Sequence, residues 1–421
     1  MEKSEQQEYK PAHSLAEDLP SESFSSLRKI RVLLVLPSLH GGGAERMAVN
    51  IIKNGNNSGF EIRLALLRKS GPYLSELEGH KIAVSPLGAN LLNFDGPNQR
   101  QYKIHKLLAA ILLVPLNIRT MIRRERPDVV VSFLKGTSIA TCFALASLRR
   151  RNRPKWVARE GNNTWAVIDD EISNGAGRRL ILAVVKRVYR RSDCVLSISD
   201  ALARDLKAWI GCKTTSLRTI PNAVNVSVIR RKSKEVPEDF PVGRYIISTG
   251  RLEHQKGHDL LIEAFARSSV AHSSTLLIQG TGSCREALAD MAQQLEIADR
   301  VRFIGFQKNP WALIARADLF ILPSRWEGFG SVIIESMAVG APCLVTSCKY
   351  GPGEIIEHGV SGWIVPPNDV DTLSEAITLL MNNDSLRKQI SERGRLQANS
   401  YDVEKIVLAY QALFAEVVSR V

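Results

Sequence analysis

Short, almost purely apolar runs recur along the chain, each followed by a stretch long enough for a helix. This alternation narrows the fold more than any other feature. In the first half the runs cover residues 30–37, 62–67, 82–87, 129–133, 156–158 and 194–198. In the second they cover 245–249, 275–278, 301–304, 319–322, 343–345 and 363–365. Strands apolar on both faces belong to parallel sheets covered by helices on either side. Two such series predict an α/β chain of two doubly wound, Rossmann-like domains facing each other across a cleft. Ligands of open α/β sheets bind beyond the carboxyl ends of the strands, so the cleft is where chemistry is expected. Residues 222–243 are polar, carry Pro237 and Pro241, and read as the linker. The expected domains are 29–225 and 226–400. Residues 401–421 are expected to form a helix that packs back on the first domain, and 1–28, rich in Glu and Asp, a disordered tail.

A hydrophobic share of 44% over 421 residues supports cores of useful size and excludes global disorder. No apolar run reaches the roughly 18 uncharged residues of a spanning helix, and the polar start carries no secretory pattern. The six cysteines include no C-x-x-C pair and no Cys/His cluster with zinc spacing. That usage fits a reduced, cytoplasmic compartment. No metal site and no cofactor are expected.

The net charge of +13 asks for an anionic partner. Residues 119–191 hold 17 Lys and Arg against 6 Asp and Glu, which accounts for nearly all of it. Arg149, Arg150, Arg151 and Arg153 form the densest cluster, and the apolar stretch 104–121 lies nearby in sequence. Basic clusters beside apolar surface suit an anionic membrane surface. Nucleic acid is the rival, but the chain has no recognised nucleic-acid module and only 6% aromatic residues. A solvated basic face over a buried core helix accounts for the same residues. The favoured reading places the protein peripherally on the inner face of a membrane.

Three segments carry candidate chemistry. The first strand runs into Gly41, Gly42 and Gly43 and then a helical pattern. Such a turn lets a ligand approach the backbone and leaves helix amides for anions, although a plain tight turn explains the same glycines. Strand 245–249 ends at Gly250, and Arg251 and Lys256 bracket the turn that follows. A forked guanidinium and a mobile ammonium at a strand edge are suited to a diphosphate. In the third segment, Glu327 precedes a predicted helix and Glu335 sits on its second turn, with Phe329, Gly330, Ser331 and Val332 at its start. Amides there stabilise phosphate. An apolar run around Glu335 predicts a buried carboxylate, for which ribose hydroxyls would supply donors.

Taken in order, the glycine turn, Gly-Arg-Leu-x-x-x-Lys-Gly and Glu-Gly-Phe-Gly-x₄-Glu resemble retaining glycosyltransferases of family four, with the GT-B fold. Gly280-Thr281-Gly282, 303–306 and 351–355 fall in the order the family shows. The resemblance spans about residues 30–400 and is most specific in the second half. It implies that Arg251 and Lys256 bind the diphosphate of a nucleotide-sugar donor, that Glu335 takes the ribose, and that Glu327 meets the donor sugar near its anomeric carbon. Gly282 and Phe306 would border the nucleotide, with the Gly41–Gly43 loop closing over its phosphates. Many relatives carry a histidine at the end of a first-domain strand. Here the place is Gly161, so Arg159, Glu160 or Asn162 would take over that polar duty.

The resemblance further implies transfer with retention and without a metal, the leaving diphosphate being stabilised by cations and amides. The donor reading leans to UDP-sugars, particularly N-acetylhexosamines, and the acceptor reading to a lipid-linked or glycan precursor of the cell surface. Two alternatives remain: a nucleotide-sugar epimerase of the same fold, and a non-catalytic, membrane-bound sugar-nucleotide sensor.

Overall fold

The computed structural model describes residues 28–40, 42–57, 59–80, 82–84, 104–161, 175–211, 216–237 and 241–420, of which 84, 104–112 and 176 as backbone alone. Gly41, Asn162 and the 1–27 part of the expected tail lie outside them. The chain divides into two compact units, residues 1–222 with 404–421, and 223–403.

Unit 1 is built on seven parallel strands: β1 (Ile30–Leu36), β2 (Phe60–Leu66), β3 (Ile82–Val84), β4 (Val129–Phe133), β5 (Lys155–Glu160), β6 (Cys194–Ser197) and β7 (Ser216–Thr219). Their order is β3-β2-β1-β4-β5-β6-β7. Unit 2 holds six: β8 (Tyr245–Thr249), β9 (Thr275–Gln279), β10 (Val301–Gly305), β11 (Leu319–Leu322), β12 (Cys343–Thr346) and β13 (Trp363–Val365), in the order β10-β9-β8-β11-β12-β13. Both are doubly wound Rossmann-like sheets. The central strands are buried along their length, β4 and β11 at every residue, as strands covered by helices on both faces must be. In each sheet the order reverses beside the first strand, between β1 and β4 and between β8 and β11. Loops leaving those strand ends diverge and open a crevice.

Several expectations change. The linker reading of 222–243 gives way at its start to the helix Val226–Lys232. Asn225 caps it, accepting from the Val228 amide at 3.0 Å, while Val226 and Ile229 are buried. Arg230 donates to the Ala338 carbonyl at 3.0 Å, so this stretch packs into unit 2. Strand β7, Ser-Leu-Arg-Thr, was not anticipated. It is a half-exposed edge with too little apolar character to stand out. The segment 404–421 counts with unit 1, where Phe414 meets the Phe60 ring at 6.5 Å and Gln411 donates to the Gly55 carbonyl at 2.8 Å.

The apolar stretch 104–121 lies in the helix Ile104–Glu125. Val114, Ile118, Met121 and Ile122 form a buried stripe at three- and four-residue spacing, so this side of the helix belongs to the core. Leu116 remains exposed. Among the described residues no helix is long and apolar enough to cross a membrane.

Candidate functional site

Strand β8 ends beside β11, and the loops leaving both meet. After Gly250 the chain makes a 3-10 turn, His254–Lys256, and closes at Gly257 with φ +66°. A Cβ at Gly257 would lie 2.2 Å from the Pro323 carbonyl oxygen, so only glycine lets this loop dock on the one that follows β11. Docking brings the Lys256 ammonium to 2.6 Å from Glu327 Oε1, and Ser324 donates to the same oxygen at 2.6 Å. The side chains of Lys256 and Glu327 are 15% and 6% exposed. No donor among the described residues bonds Oε2. The carboxylate also adds to burial in pushing the neighbouring Cys348 thiol up to about 12, which keeps it protonated.

The loop is braced from below. Arg325 binds Asp259 through both guanidinium nitrogens, at 2.8 and 2.5 Å, and this pair holds the Asp259 carboxyl below its ordinary range against the opposing effect of burial. Gln255 donates to the Trp326 carbonyl at 2.9 Å and accepts from Arg251 at 3.3 Å. Arg251 is exposed. Gly282 lies against the Leu252 backbone, where a Cβ would stand 2.3 Å from its carbonyl oxygen. The Gly280–Gly282 turn is thereby tied to the loop that holds Arg251.

The helix Ser331–Ala338 starts at Gly330, with Phe329 buried just before it. First-turn amides of a helix have no carbonyl partners of their own, so this end suits an anion. Glu335 sits on the second turn but is half-buried, and the Trp311 indole donates to its Oε2 at 2.8 Å. The expected buried carboxylate is therefore corrected in degree: the protein itself supplies a donor. Val332 is half-buried, and Phe306 is 76% exposed just beyond β10. Thus Arg251, Lys256, Glu327, Gly282 and the Phe329–Val332 turn gather at the carboxyl edge of one sheet.

In unit 1, Gly42 precedes the helix Gly43–Gly55, at the switch between β1 and β4. Here the Glu45 side chain folds back, an oxygen lying 2.5 Å from where a Gly42 Cβ would stand. Burial raises the Glu45 carboxyl, partly opposed by backbone hydrogen bonds and by Arg159. Arg159 and Glu160 end β5 and are both buried. Arg159 donates to Tyr410 Oη at 2.8 Å and to Asn222 Oδ1 at 2.5 Å, over the Phe133 ring. Glu160 accepts from Tyr189 Oη at 2.5 Å and from the Gly161 amide at 3.1 Å. These bonds tie both charged groups into the unit.

Sequence reasoning missed Ser324, Trp311, Glu45, Asn222 and Tyr410. Ser324 lies inside the block that holds Glu327, so a buried carboxylate's need for donors pointed to it. Nothing local marks Trp311 or Tyr410.

Comparison with known proteins follows the same division. The family model described as glycosyl transferase 4-like domain matches residues 42–223, and glycosyl transferases group 1 matches 230–397. A lipopolysaccharide core biosynthesis glycosyltransferase of Rhizobium meliloti is 26% identical over 89% of this chain and 96% of its own. An N-acetylgalactosaminyltransferase of Campylobacter jejuni, named for a diphospho-undecaprenol acceptor, is 27% identical over 61% of this chain and 72% of its own. An exopolysaccharide phosphotransferase of Streptomyces coelicolor is 32% identical over 59% of this chain, but this chain spans only 26% of that longer protein. Among solved structures, Anabaena HepE in complex with UDP superposes with a TM-score of 0.72 at 19% identity, over 92% of this chain and all of that one. At that identity the likeness speaks for the fold. With both models matched in sequence order on two Rossmann-like units, the chain belongs to the group 1 glycosyltransferases of GT-B fold.

Proposed function

We propose that this enzyme transfers a sugar, with retention and without a metal, from a UDP-sugar of the N-acetylhexosamine class. The acceptor is a lipid-linked precursor of a cell-surface glycan, reached from the inner face of an anionic membrane. The observation that carries the donor side is the Lys256–Glu327–Ser324 cluster at 2.6 Å, with Arg251 exposed beside it. The relative named for a diphospho-undecaprenol acceptor and the neighbour solved with UDP support the choice of substrates.

In this reading Glu327 Oε1 is occupied by Lys256 and Ser324, so Oε2 faces the donor sugar and orients its hydroxyls. Lys256 has three N–H donors and engages a phosphate oxygen while keeping its bond to Glu327. Arg251 contributes a forked donor set from the rim. The bond from the anomeric carbon to the phosphate oxygen breaks as the bond to the acceptor oxygen forms on the same face. The acceptor's proton passes to the leaving diphosphate. Charge growing on that group is met by Arg251, Lys256 and the amides at the start of Ser331–Ala338. Phe306 and Gly282 line the nucleotide, and Glu335 takes the ribose beside Trp311. Arg159 and Glu160 hold the strand end on the acceptor side.

Product analysis tests this. With an α-linked UDP-N-acetylhexosamine and a polyprenyl-diphosphate sugar acceptor, proton NMR should show an α-linked product at a rate unchanged by chelator. Inversion, or activity lost to chelator and restored by magnesium or manganese, would overturn the mechanism. Absence of sugar transfer from any UDP-sugar would overturn the donor.

A further inference from the structure

Five large apolar side chains stand exposed on three helices of unit 1. They are Leu116 at 48%, Phe143 at 52%, Leu180 at 66%, Ile181 at 39% and Val184 at 37%. Helix Lys135–Ala146 packs against both Ile104–Glu125 and Gly175–Tyr189, so the three lie side by side. Helix Gly175–Tyr189 is apolar on opposite sides. Val185, Val188 and Tyr189 point inward, whereas Leu180, Val184 and Arg187 follow one another outward at four- and three-residue spacing, with Ile181 alongside. Packing among the described residues explains the inner side and leaves the outer one without a reason. Isolated exposed leucines need none, but a cluster rimmed by charge marks an interaction surface.

The rim is cationic. Arg149, Arg150 and Arg151 project from the turn that ends Lys135–Ala146, and Arg179 and Arg187 flank the apolar strip on Gly175–Tyr189. Among the described side chains of the three helices and that turn, Glu125 is the one carboxylate, and it is already bound to Arg63 and Arg124. We propose that these outer faces form a docking surface for an anionic lipid bilayer. Apolar residues enter the acyl boundary and arginines meet the headgroups. The proposal rests on the reading that the acceptor is lipid-linked, and it moves the contact away from the stripe of Ile104–Glu125 that the core takes up. The charge also argues against a second copy: a two-fold contact of the patch with itself would set arginine against arginine.

Co-sedimentation of the full chain with vesicles tests it. Binding to phosphatidylcholine containing phosphatidylglycerol should exceed binding to phosphatidylcholine alone by at least about tenfold, and should weaken as salt screens the rim. The triple variant Leu180→Gln, Ile181→Gln, Val184→Gln, which keeps good helix formers on an exposed face, should lose about tenfold or more in partitioning. Its melting temperature and its binding of UDP should not change. Arg149→Gln, Arg150→Gln, Arg151→Gln together should abolish the preference for anionic vesicles. Equal binding to both vesicle types, or unchanged partitioning of the triple variant, overturns the proposal. So does a dimer that the triple variant converts to monomer in light scattering while vesicle binding stays the same. Sugar transfer assayed in detergent, without a bilayer, separates this outcome from the functional reading. Transfer with no vesicle binding removes the surface and keeps the enzyme. Vesicle binding with no transfer does the reverse.

Discussion

Replacing Lys256 with Met removes a charge whose partner is largely buried. Glu327 would keep only the Ser324 bond while staying buried, since its side chain is 6% exposed. Breaking a buried pair in this way costs about 3 kcal/mol, because one charge is left uncompensated. Glu327→Gln leaves Lys256 an amide oxygen to bond and should cost less, about 2 kcal/mol. The double variant carries no buried charge at all and should recover to within about 1 kcal/mol of the parent, a coupling of about 4 kcal/mol. Hydrogen exchange of the β8 and β11 amides reads the stability of unit 2 by itself. Turnover should not recover: Lys256→Met and the double variant should both lose about a hundredfold, since leaving-group stabilisation goes with the ammonium. A cost below about 1 kcal/mol for Lys256→Met would show that Glu327 does not depend on this partner. Turnover regained in the double variant would remove Lys256 from the chemistry.

Arg251→Ala should lower turnover about a hundredfold while leaving thermal stability unchanged, because the side chain is exposed and its hydrogen bond to Gln255 is 3.3 Å long. Gly257→Ala puts a Cβ 2.2 Å from the Pro323 oxygen at a φ of +66°, and should destabilise unit 2 by about 2 kcal/mol and weaken UDP binding, both measurable by calorimetry. His258 is 2% exposed with both ring nitrogens unpartnered, and burial first, then Lys256, push its pKa from 6.5 down to about 4. Between those values the unfolded chain binds the extra proton, so stability falls as pH drops from about 6.5 toward 4, by about 2 kcal/mol at pH 5, and is insensitive to this group above. His258→Leu should flatten that acid limb in denaturant titrations at pH 5 and pH 8; an unchanged limb would show that another group sets it.

What could be read from the chain was whatever a short window contains. Strands β4, β8 and β11 have the bounds that their apolar runs predict, because a strand covered on both faces announces itself in four or five residues. Edge strand β7 did not, since half-exposed Ser-Leu-Arg-Thr looks like loop. The same window rule holds in the proposed donor site. Arg251, Lys256, Glu327 and the Phe329–Val332 turn sit on two short loops whose glycines and charges are visible locally. Their meeting depends on β8 and β11 being neighbours, which the switch in strand order supplies. The helix Val226–Lys232 was hidden for a different reason: two buried residues, Val226 and Ile229, are too few for a periodicity, and its Asn225 cap was the one available signal.

Unit 1 shows why window reasoning fails where charge is buried. The run Trp156–Ala158 looked like the whole of β5, because Arg and Glu ordinarily end a buried strand. The strand continues through Glu160, and both charged side chains are buried. Burial of a guanidinium is tolerable only with acceptors in place, and they come from Asn222 and Tyr410, 63 and 251 positions away. A residue can therefore be polar, buried and conspicuous in sequence for reasons that belong to the fold. At the Arg159–Glu160 pair the two uses of charge separate. Lys256 and Glu327 satisfy each other and leave Oε2 without a protein donor among the described residues, while Arg159 and Glu160 are each bonded to groups brought from elsewhere in unit 1. In the proposed reaction the leaving diphosphate, held by Arg251 and Lys256, takes the acceptor's proton.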